Sequence, residues 1–338
     1  MDPIRRVNPT TRRRFLQSTA AGAGAGLVLG ASPSPAIARV TADDPVFSDD
    51  FDSVSTIDVN ATGAPGYQWY PHKWFSSRVT RPQNIRVSNS VLTLGGAGGE
   101  TGFASLVTAF AIPTAPYFRG KVFGNGGFFS ARIAFDHAQQ GPAPQVAPAF
   151  WSMAIEHISD GFHPAGEQWP GQEPGYAHYI ELDFMEHFRE RRNSYVCTIH
   201  DWSGKYDPFW WYDISNGNNI VDVGPVNWSE FHTYSCYWVP QNETTPGHAQ
   251  WFFDGLAGPT TNVYWKGPPG SPPLPGQPAR SPDPPARASF TPSTPAQADR
   301  TYSVIDRQRL ALHIGTDPGW RMRIDWVKVW GGTPHTGG

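Results

Sequence analysis

The sequence predicts an all-β protein in which two antiparallel sheets stack as a jelly-roll sandwich. Glycine (35 residues) and proline (34 residues) are abundant in the 338-residue chain, and this composition favours short strands joined by many turns. Aromatic residues reach 14% while charged residues are only 16%, against about 25% charged residues in an average globular protein. No long segment repeats its apolar residues with the helical period of 3.6.

Local patterns place individual strands and turns. In GGFFSARIAFD the odd-numbered residues from Phe129 to Phe135 are apolar and share one face of a strand, which predicts a core face. Residues 84–96 predict a hairpin around a Ser-Asn-Ser turn. The pair Asp254-Gly255 predicts a second tight turn between two late strands.

The chain is predicted to carry an export signal followed by a single domain over residues 39–330. Residues 1–38 combine Arg12-Arg13, a short apolar run and the small residues Ala36 and Ala38. This order is typical of a twin-arginine signal peptide. The apolar run is too short to be a membrane span. We therefore expect a protein that is secreted or periplasmic.

Two segments and the two cysteines give three further predictions. Residues 258–300 are dense in proline and predict a long irregular insertion between two late strands. Residues 331–338 predict a flexible tail. Cys197 and Cys236 could form a disulfide after export or stay as two buried thiols, and the sequence leaves both open.

Composition and missing motifs exclude several functions. The net charge of -3 provides no basic surface for nucleic acid or an anionic membrane. Neither the Gly-x-Ser-x-Gly elbow of a serine hydrolase nor the His-Glu-x-x-His zinc spacing occurs in the chain. We expect a monomer with no nucleic-acid partner and no membrane span.

The stretch HYIELDFMEHF holds three carboxylates in a run that otherwise predicts a buried strand. Glu181 and Asp183 share one face because side chains alternate along a strand. Glu186 follows Glu181 by an odd number of residues, so a regular strand would bury it in the core at a cost of roughly several kcal/mol. A β-bulge at Phe184-Met185 would return Glu186 to the polar face.

Three acids on one face indicate hydrolysis of a glycosidic bond. With the bulge, Glu181 and Glu186 lie four strand steps apart, about 13 Å between Cα atoms. Their side chains can approach to about 5–5.5 Å, the carboxyl separation of a retaining glycosidase. The alternatives are a solvated acidic face and a calcium cluster. His200, on the next predicted strand, can bond one of the acids or a sugar hydroxyl.

Glu-Leu-Asp-Phe-Met-Glu resembles the pattern Glu-x-Asp-x-x-Glu of glycoside hydrolase family 16, in the laminarinase-like branch with a bulged strand. Other segments resemble motifs of that family in the same order along the chain: GGFFSARI, PAFWSM, TIHDW, FHTYSCYW with WFFDG, and RIDWVKVW. The resemblance implies a concanavalin A-like jelly roll whose concave face holds a polysaccharide. It also implies that Glu181 is the nucleophile, Glu186 the general acid/base and Asp183 the helper between them.

The resemblance extends to metal and cofactor expectations. It implies a structural calcium ion on the convex side, with Asp50 and Asp325 among its ligands, and no cofactor required for catalysis. Cationic residues at 189–193 and the histidine at position 187 depart from the family pattern. These departures leave the identity of the polysaccharide open, with a sulfated galactan as one alternative.

Substrate-binding residues are expected mainly among the 14 tryptophans, because a flat indole stacks on the apolar face of a sugar ring. For any single loop tryptophan a structural role is equally open, and a surface salt bridge is the alternative for the arginine. The candidates are Trp151, Trp169, His200, Trp202, Trp210, Trp211, Arg132 and Trp320.

The sequence thus predicts an exported, retaining endo-β-glycanase that acts on a polysaccharide, with β-1,3- or mixed-linked β-glucan as the expected substrate. Two alternatives share the fold. A glycan-binding module would bind the same polymer without hydrolysis, and a transglycosylase would use the same acids with a sugar acceptor in place of water.

Overall fold

The computed structural model describes residues 44–73, 76–95, 103–112, 118–136, 146–155, 176–188, 191–206, 209–239, 247–263, 308–317 and 319–337. Within these residues the structure is almost entirely β, and its helical parts are two 3₁₀ turns at Val54–Thr56 and Pro82–Asn84. The same residues contain no helix with the length and apolar character needed to cross a membrane.

Nineteen strands are found in the described part of the chain. The first ten are β1 (Phe47–Asp49), β2 (His72–Lys73), β3 (Ser76–Val79), β4 (Ile85–Ser88), β5 (Val91–Leu94), β6 (Ala104–Val107), β7 (Ala109–Ala111), β8 (Phe118–Gly124), β9 (Gly127–Phe135) and β10 (Val146–Ala154). The others are β11 (Tyr176–Phe188), β12 (Ser194–Tyr206), β13 (Phe209–Asp222), β14 (His232–Val239), β15 (Gly247–Phe253), β16 (Leu256–Val263), β17 (Leu310–Thr316), β18 (Met322–Trp330) and β19 (Thr333–Gly337).

Two antiparallel sheets contain nearly all of these strands. The front sheet has 9 strands in the order β13-β12-β11-β10-β17-β8-β19, with β6 on β17 and β7 on β8. The back sheet has 8 strands in the order β16-β15-β14-β9-β18-β5-β4, with β1 on β18. Strands β2 and β3 form a separate pair. The predicted all-β, two-sheet sandwich is confirmed.

The hydrophobic core fills the space between the two sheets. The odd-numbered residues of β9, from Phe129 to Phe135, belong to it as predicted. Phe129 of the back sheet stacks on Phe184 of the front sheet, with ring centroids 5.1 Å apart and an interplanar angle of 12°. Stacked rings of this kind fix the spacing of the two sheets, because close-packed cores tolerate little change in volume.

Both predicted tight turns are present. The hairpin of β4 and β5 turns through Asn89 and Ser90, whose φ angles are 53° and 56°. The hairpin of β15 and β16 turns through Asp254 and Gly255, with φ angles of 47° and 80°. Positive φ at both central residues gives the turn a twist that matches the flanking strands.

The start of the proline-rich insertion was predicted too early in the chain. Strand β16 continues to Val263 and includes Pro259, so residues 258–263 are not irregular. A proline fits there because β16 is the edge strand of the back sheet and pairs only with β15. Residues 264–300 lie outside the described residues, as do residues 1–38 with the twin-arginine signal.

The prediction of a flexible tail is wrong for most of residues 331–338. Strand β19 pairs with β8 from Thr333 opposite Gly124 to Gly337 opposite Gly120. The chain reverses into this strand at Gly331 and Gly332, where φ is 67° and 71°. The tail becomes a strand because it satisfies backbone groups that β8 would otherwise leave open at the edge of the sheet.

Both cysteines are free thiols in the core. Cys197 lies on β12 of the front sheet and Cys236 on β14 of the back sheet, and both are fully buried. Of the two states that the sequence left open, the structure has the buried thiols. Burial raises the pKa of each thiol well above its ordinary value.

Candidate active site

The acidic strand β11 contains the predicted bulge. Asp183 lies opposite Thr198 of β12 while Glu186 lies opposite Val196, so three steps along β11 match two steps along β12. On its other side β11 shows the same shift against β10, where Phe150 pairs with Met185 and the next residue pairs with Asp183. One extra residue is therefore inserted between Asp183 and Glu186.

The bulge brings all three acids onto one face of the front sheet. Their partners on β12 are His200, Thr198 and Val196, alternate residues that share a face. This face, the open face, is the one turned away from the back sheet, since Leu182 on the other side of β11 belongs to the core. The partners of Glu181 and Glu186 lie four steps apart on β12, about 13 Å along the strand.

Two adjacent apolar residues explain why the strand bulges at this point. Phe184 and Met185 are both fully buried in the core. Phe184 packs against Phe150 as well as Phe129, with centroids 4.8 Å and 5.1 Å away. A regular strand can send only one of two neighbours inward. Burying both side chains stabilises the fold by more than the lost backbone hydrogen bonds of the interrupted ladder cost.

The bulge is also held from the opposite sheet. Trp251 of β15 donates a hydrogen bond from its indole Nε1 to the backbone carbonyl oxygen of Asp183, over 2.9 Å. Trp251 is fully buried in the core. A buried carbonyl at a disrupted ladder needs a partner, and this indole supplies one.

The three carboxylates differ in their access to solvent. Glu181 is 0% exposed and Asp183 1% exposed, while Glu186 is partly exposed. His200 of β12 places its Nε2 3.0 Å from Oδ2 of Asp183. Buried carboxylates are costly without polar partners, so His200 compensates part of the cost of burying Asp183. Of the two partners that the sequence left open for His200, the structure shows the acid, and a contact with a sugar stays a prediction.

Trp151 lies beside the acid cluster. It is directly opposite Asp183 in the pairing of β10 with β11, and opposite His313 in the pairing of β10 with β17. His313 was not predicted from the sequence. Its signal was a single polar residue in the apolar strand LALHIG, on the face opposite Leu312 and Ile314.

Two predicted substrate-binding residues lie elsewhere in the fold. Trp320 is 2% exposed and packs in the core against Phe135 and His187, so its predicted contact with a sugar is wrong. The loop around it is polar, but the indole turns inward between the sheets.

Arg132 belongs to the back sheet, on the face opposite the core residues of β9. It forms an ion pair with Asp325 and covers the ring of Phe231, 5.2 Å from the centroid. The prediction of a cleft residue is therefore wrong, and the alternative of a surface salt bridge is confirmed. The alternation along β9 was predicted correctly, but its polar face looks away from the acids.

The remaining tryptophan predictions are not described by the structure. Trp169 lies outside the described residues. The strands that carry Trp202, Trp210 and Trp211 are described, as β12 and β13, but the side chains of these residues lie outside the described part. The sugar contacts predicted for these three tryptophans and for Trp169 stay predictions.

The two expected calcium ligands do not fit a calcium site. Asp50 is 2.8 Å from Nζ of Lys328 and accepts a hydrogen bond from the hydroxyl of Ser48. Asp325 is paired with Arg132. Each carboxylate thus already has a cationic partner, and in the described ranges no group of three or more His, Cys, Asp or Glu side chains is arranged to hold a metal ion.

No protein-family model matches the chain, and no curated protein matches it. Solved structures match the chain. A β-porphyranase from the human gut bacterium Bacteroides plebeius is 13% identical, over 86% of this chain and 90% of that one, with a TM-score of 0.48. An endo-1,3-β-glucanase from Streptomyces sioyaensis is 18% identical over 85% and 95%, with a TM-score of 0.44. A β-agarase B from Zobellia galactanivorans is 12% identical over 86% and 92%, with a TM-score of 0.42.

Proposed function

We propose that this protein is a retaining endo-β-glycanase that hydrolyses internal β-glycosidic bonds of a polysaccharide. One observation carries the proposal: the bulge in β11 places Glu181, Asp183 and Glu186 on the same open face, with the two glutamates four strand steps apart. Burial of Phe184 and Met185 accounts for the interrupted ladder, but not for the three acids that it gathers on one face. Two carboxylates near a scissile bond are the catalytic groups of most glycosidases.

The environment of each acid supports a division of roles. Glu181 is fully buried, so its ionised carboxylate is poorly solvated and suited to attack an anomeric carbon. Glu186 is partly exposed, which suits a group that exchanges protons with a leaving oxygen and then with water. Asp183 lies between them and contacts His200, so it acts as the positioning residue of the pair.

The reaction follows in two balanced steps. In the first, a carboxylate oxygen of Glu181 bonds to the anomeric carbon while Glu186 protonates the departing glycosidic oxygen. In the second, Glu186 takes a proton from water, the water oxygen bonds to the anomeric carbon, and the bond to Glu181 breaks. Two inversions at one carbon leave the β configuration unchanged, and no cofactor takes part.

The substrate that we propose is a β-1,3- or mixed-linked β-glucan. The resemblance of the acidic motif to the laminarinase-like branch of glycoside hydrolase family 16 supports this choice. Trp151 supports a sugar substrate more generally, because its partly exposed indole lies directly opposite Asp183. We further propose that the protein is exported through its twin-arginine signal and acts as a monomer.

The test is a reducing-end assay on laminarin, lichenan, agarose and carrageenan. We expect the wild-type protein to release reducing ends from laminarin or lichenan, and Glu181→Gln and Glu186→Gln to lose nearly all of this activity. Glu230→Gln, at an exposed glutamate in the turn before β14, is the matched control and should keep it. Binding of these polymers by wild-type protein without any release of reducing ends would instead establish a glycan-binding module.

A further inference from the structure

Trp151 and His313 form a parallel ring stack on the open face of the front sheet. Their ring centroids are 4.0 Å apart and the ring planes differ by 21°. His313 is fully buried, whereas Trp151 keeps partial exposure. One face of the indole is therefore covered by the imidazole, and the side chain still reaches solvent next to the acid cluster.

The strand register places this stack in line with the acids. Asp183, Trp151 and His313 occupy one row across β11, β10 and β17. Adjacent strands are about 4.8 Å apart, so His313 is roughly 9.6 Å of sheet width from Asp183. With Trp151 between them, the imidazole is not placed to exchange protons with the bond that is cleaved.

We propose that His313 is a positioning residue that holds the indole of Trp151 as a stacking platform for a pyranose ring of the β-glucan substrate. This inference rests on the proposed function, because it assigns part of the substrate site. An indole beside the acid cluster must present a fixed plane to the sugar, since small errors in placement cost large factors in rate. A buried ring stacked on the opposite face of the indole restricts rotation of the side chain.

Two substitutions separate stacking from the other properties of His313. His313→Ala removes the ring, while His313→Phe keeps a flat ring of similar size without its nitrogens. The matched control is His232→Ala, which removes a histidine stacked on Phe253 in the back sheet, with centroids 5.0 Å apart and planes 23° apart. Thermal unfolding of each variant checks that it is folded.

The first readout is independent of hydrolysis. Protein labelled with 5-fluorotryptophan gives a ¹⁹F resonance for each indole, and Trp151→Phe identifies the resonance of Trp151. We expect His313→Ala to shift or broaden that resonance. His313→Phe should change it less than His313→Ala does, and His232→Ala should leave it in place. An unchanged Trp151 resonance in His313→Ala overturns the inference.

The second readout is affinity for laminarin oligosaccharides, measured in a Glu181→Gln background so that nothing is cleaved. We expect His313→Ala to raise Kd about ten-fold, His313→Phe to recover most of the loss, and His232→Ala to have no effect. The inference is overturned if His313→Ala binds normally, if His313→Phe is as weak as His313→Ala, or if the Glu181→Gln protein binds no oligosaccharide. If the wild type releases no reducing ends but binding of the oligosaccharides depends on His313, the result would refute the proposed hydrolysis. It would still support the stacking platform formed by Trp151.

Discussion

Trp251 and Asp183 belong to different sheets, and the hydrogen bond between the indole Nε1 and the backbone carbonyl oxygen, 2.9 Å long, ties the bulge of β11 to the back sheet. Both residues are buried. The bond connects a core tryptophan to the feature that gathers the acids. The geometry of the open face therefore depends on packing behind it as well as on β11 itself.

We predict that Trp251→Phe weakens both stability and activity. Phenylalanine keeps most of the apolar volume but leaves the buried carbonyl of Asp183 without this donor, which costs about 1–3 kcal/mol. Urea unfolding measures the loss of stability, and kcat on the cleaved polysaccharide should fall because Glu186 is no longer held as firmly. Trp238→Phe, at a buried tryptophan of the neighbouring strand β14, controls for lost indole volume. Equal kcat values for Trp251→Phe and wild type would show that this bond does not position the acids.

We predict that His200→Asn lowers kcat by up to about a hundred-fold. His200 lies 3.0 Å from Asp183, whose side chain is almost fully buried. The shorter asparagine does not reach that carboxylate, so Asp183 loses a partner. Its side chain then changes position beside Glu181. Steady-state kinetics should show the effect mainly in kcat, since Trp151, the expected sugar contact, is unchanged. An increase in KM alone would assign His200 to sugar binding instead.

How far the sequence predicted the site depends on the length scale of each interaction. The bulge was predictable because Glu186 would otherwise lie in the core, and this conflict is visible within β11 alone. The indole donor of Trp251 was not, because only the packing of two sheets brings β15 against Asp183. The position of His313 was hidden for the same reason: β17 becomes the neighbour of Trp151 only in the folded sheet.

The same distinction explains the errors. Along β9 the alternation was correct, but a single strand does not reveal which sheet it joins, so Arg132 was assigned to the wrong side of the molecule. Trp320 follows a turn-like Asp-Pro-Gly sequence, yet its ring reaches the core beside His187. Strand β19 forms because β8 offers an open edge, which the residues after Trp330 do not indicate by themselves.

We predict a pH-dependent contribution to stability from His232 and Asp254. The hydrogen bond that Nδ1 of His232 donates to Oδ2 of Asp254, over 2.7 Å, is the largest cause that raises the pKa of this histidine. A histidine with a raised pKa stabilises the fold fully below its ordinary pKa of about 6.5, and this stability is lost as the pH rises through the folded-state value.

Asp254→Asn isolates this effect. The amide can still accept the hydrogen bond from the backbone N–H of Thr233, and asparagine tolerates the positive φ of the turn. Urea unfolding at pH 6 and pH 8.5 should show that the wild type loses up to about 1 kcal/mol more than the variant on going to high pH, the range of a partly exposed pair. Parallel pH dependences in the two proteins would rule out the contribution.

We predict that Cys197 and Cys236 are unreactive in the native protein. Both thiols are fully buried and burial raises the pKa of each, so neither forms the reactive thiolate near neutral pH. Ellman's reagent should detect no thiol in the folded protein and both thiols after unfolding in guanidinium. If no thiol appears after unfolding without reductant, the protein carries a disulfide instead.

The central claim, that the bulge pairs Glu181 and Glu186 as nucleophile and acid/base, is tested most directly by chemical rescue with azide. The substrate is an aryl β-glycoside of laminaribiose with a good leaving group. Azide takes the place of the missing carboxylate in Glu181→Ala and attacks the anomeric carbon once, so the product should be the α-glycosyl azide. In Glu186→Ala it attacks the covalent intermediate, so the product should be the β-glycosyl azide. Opposite azide anomers from the two variants are the result that we predict; the same anomer from both, or no rescue of either, would contradict the pairing.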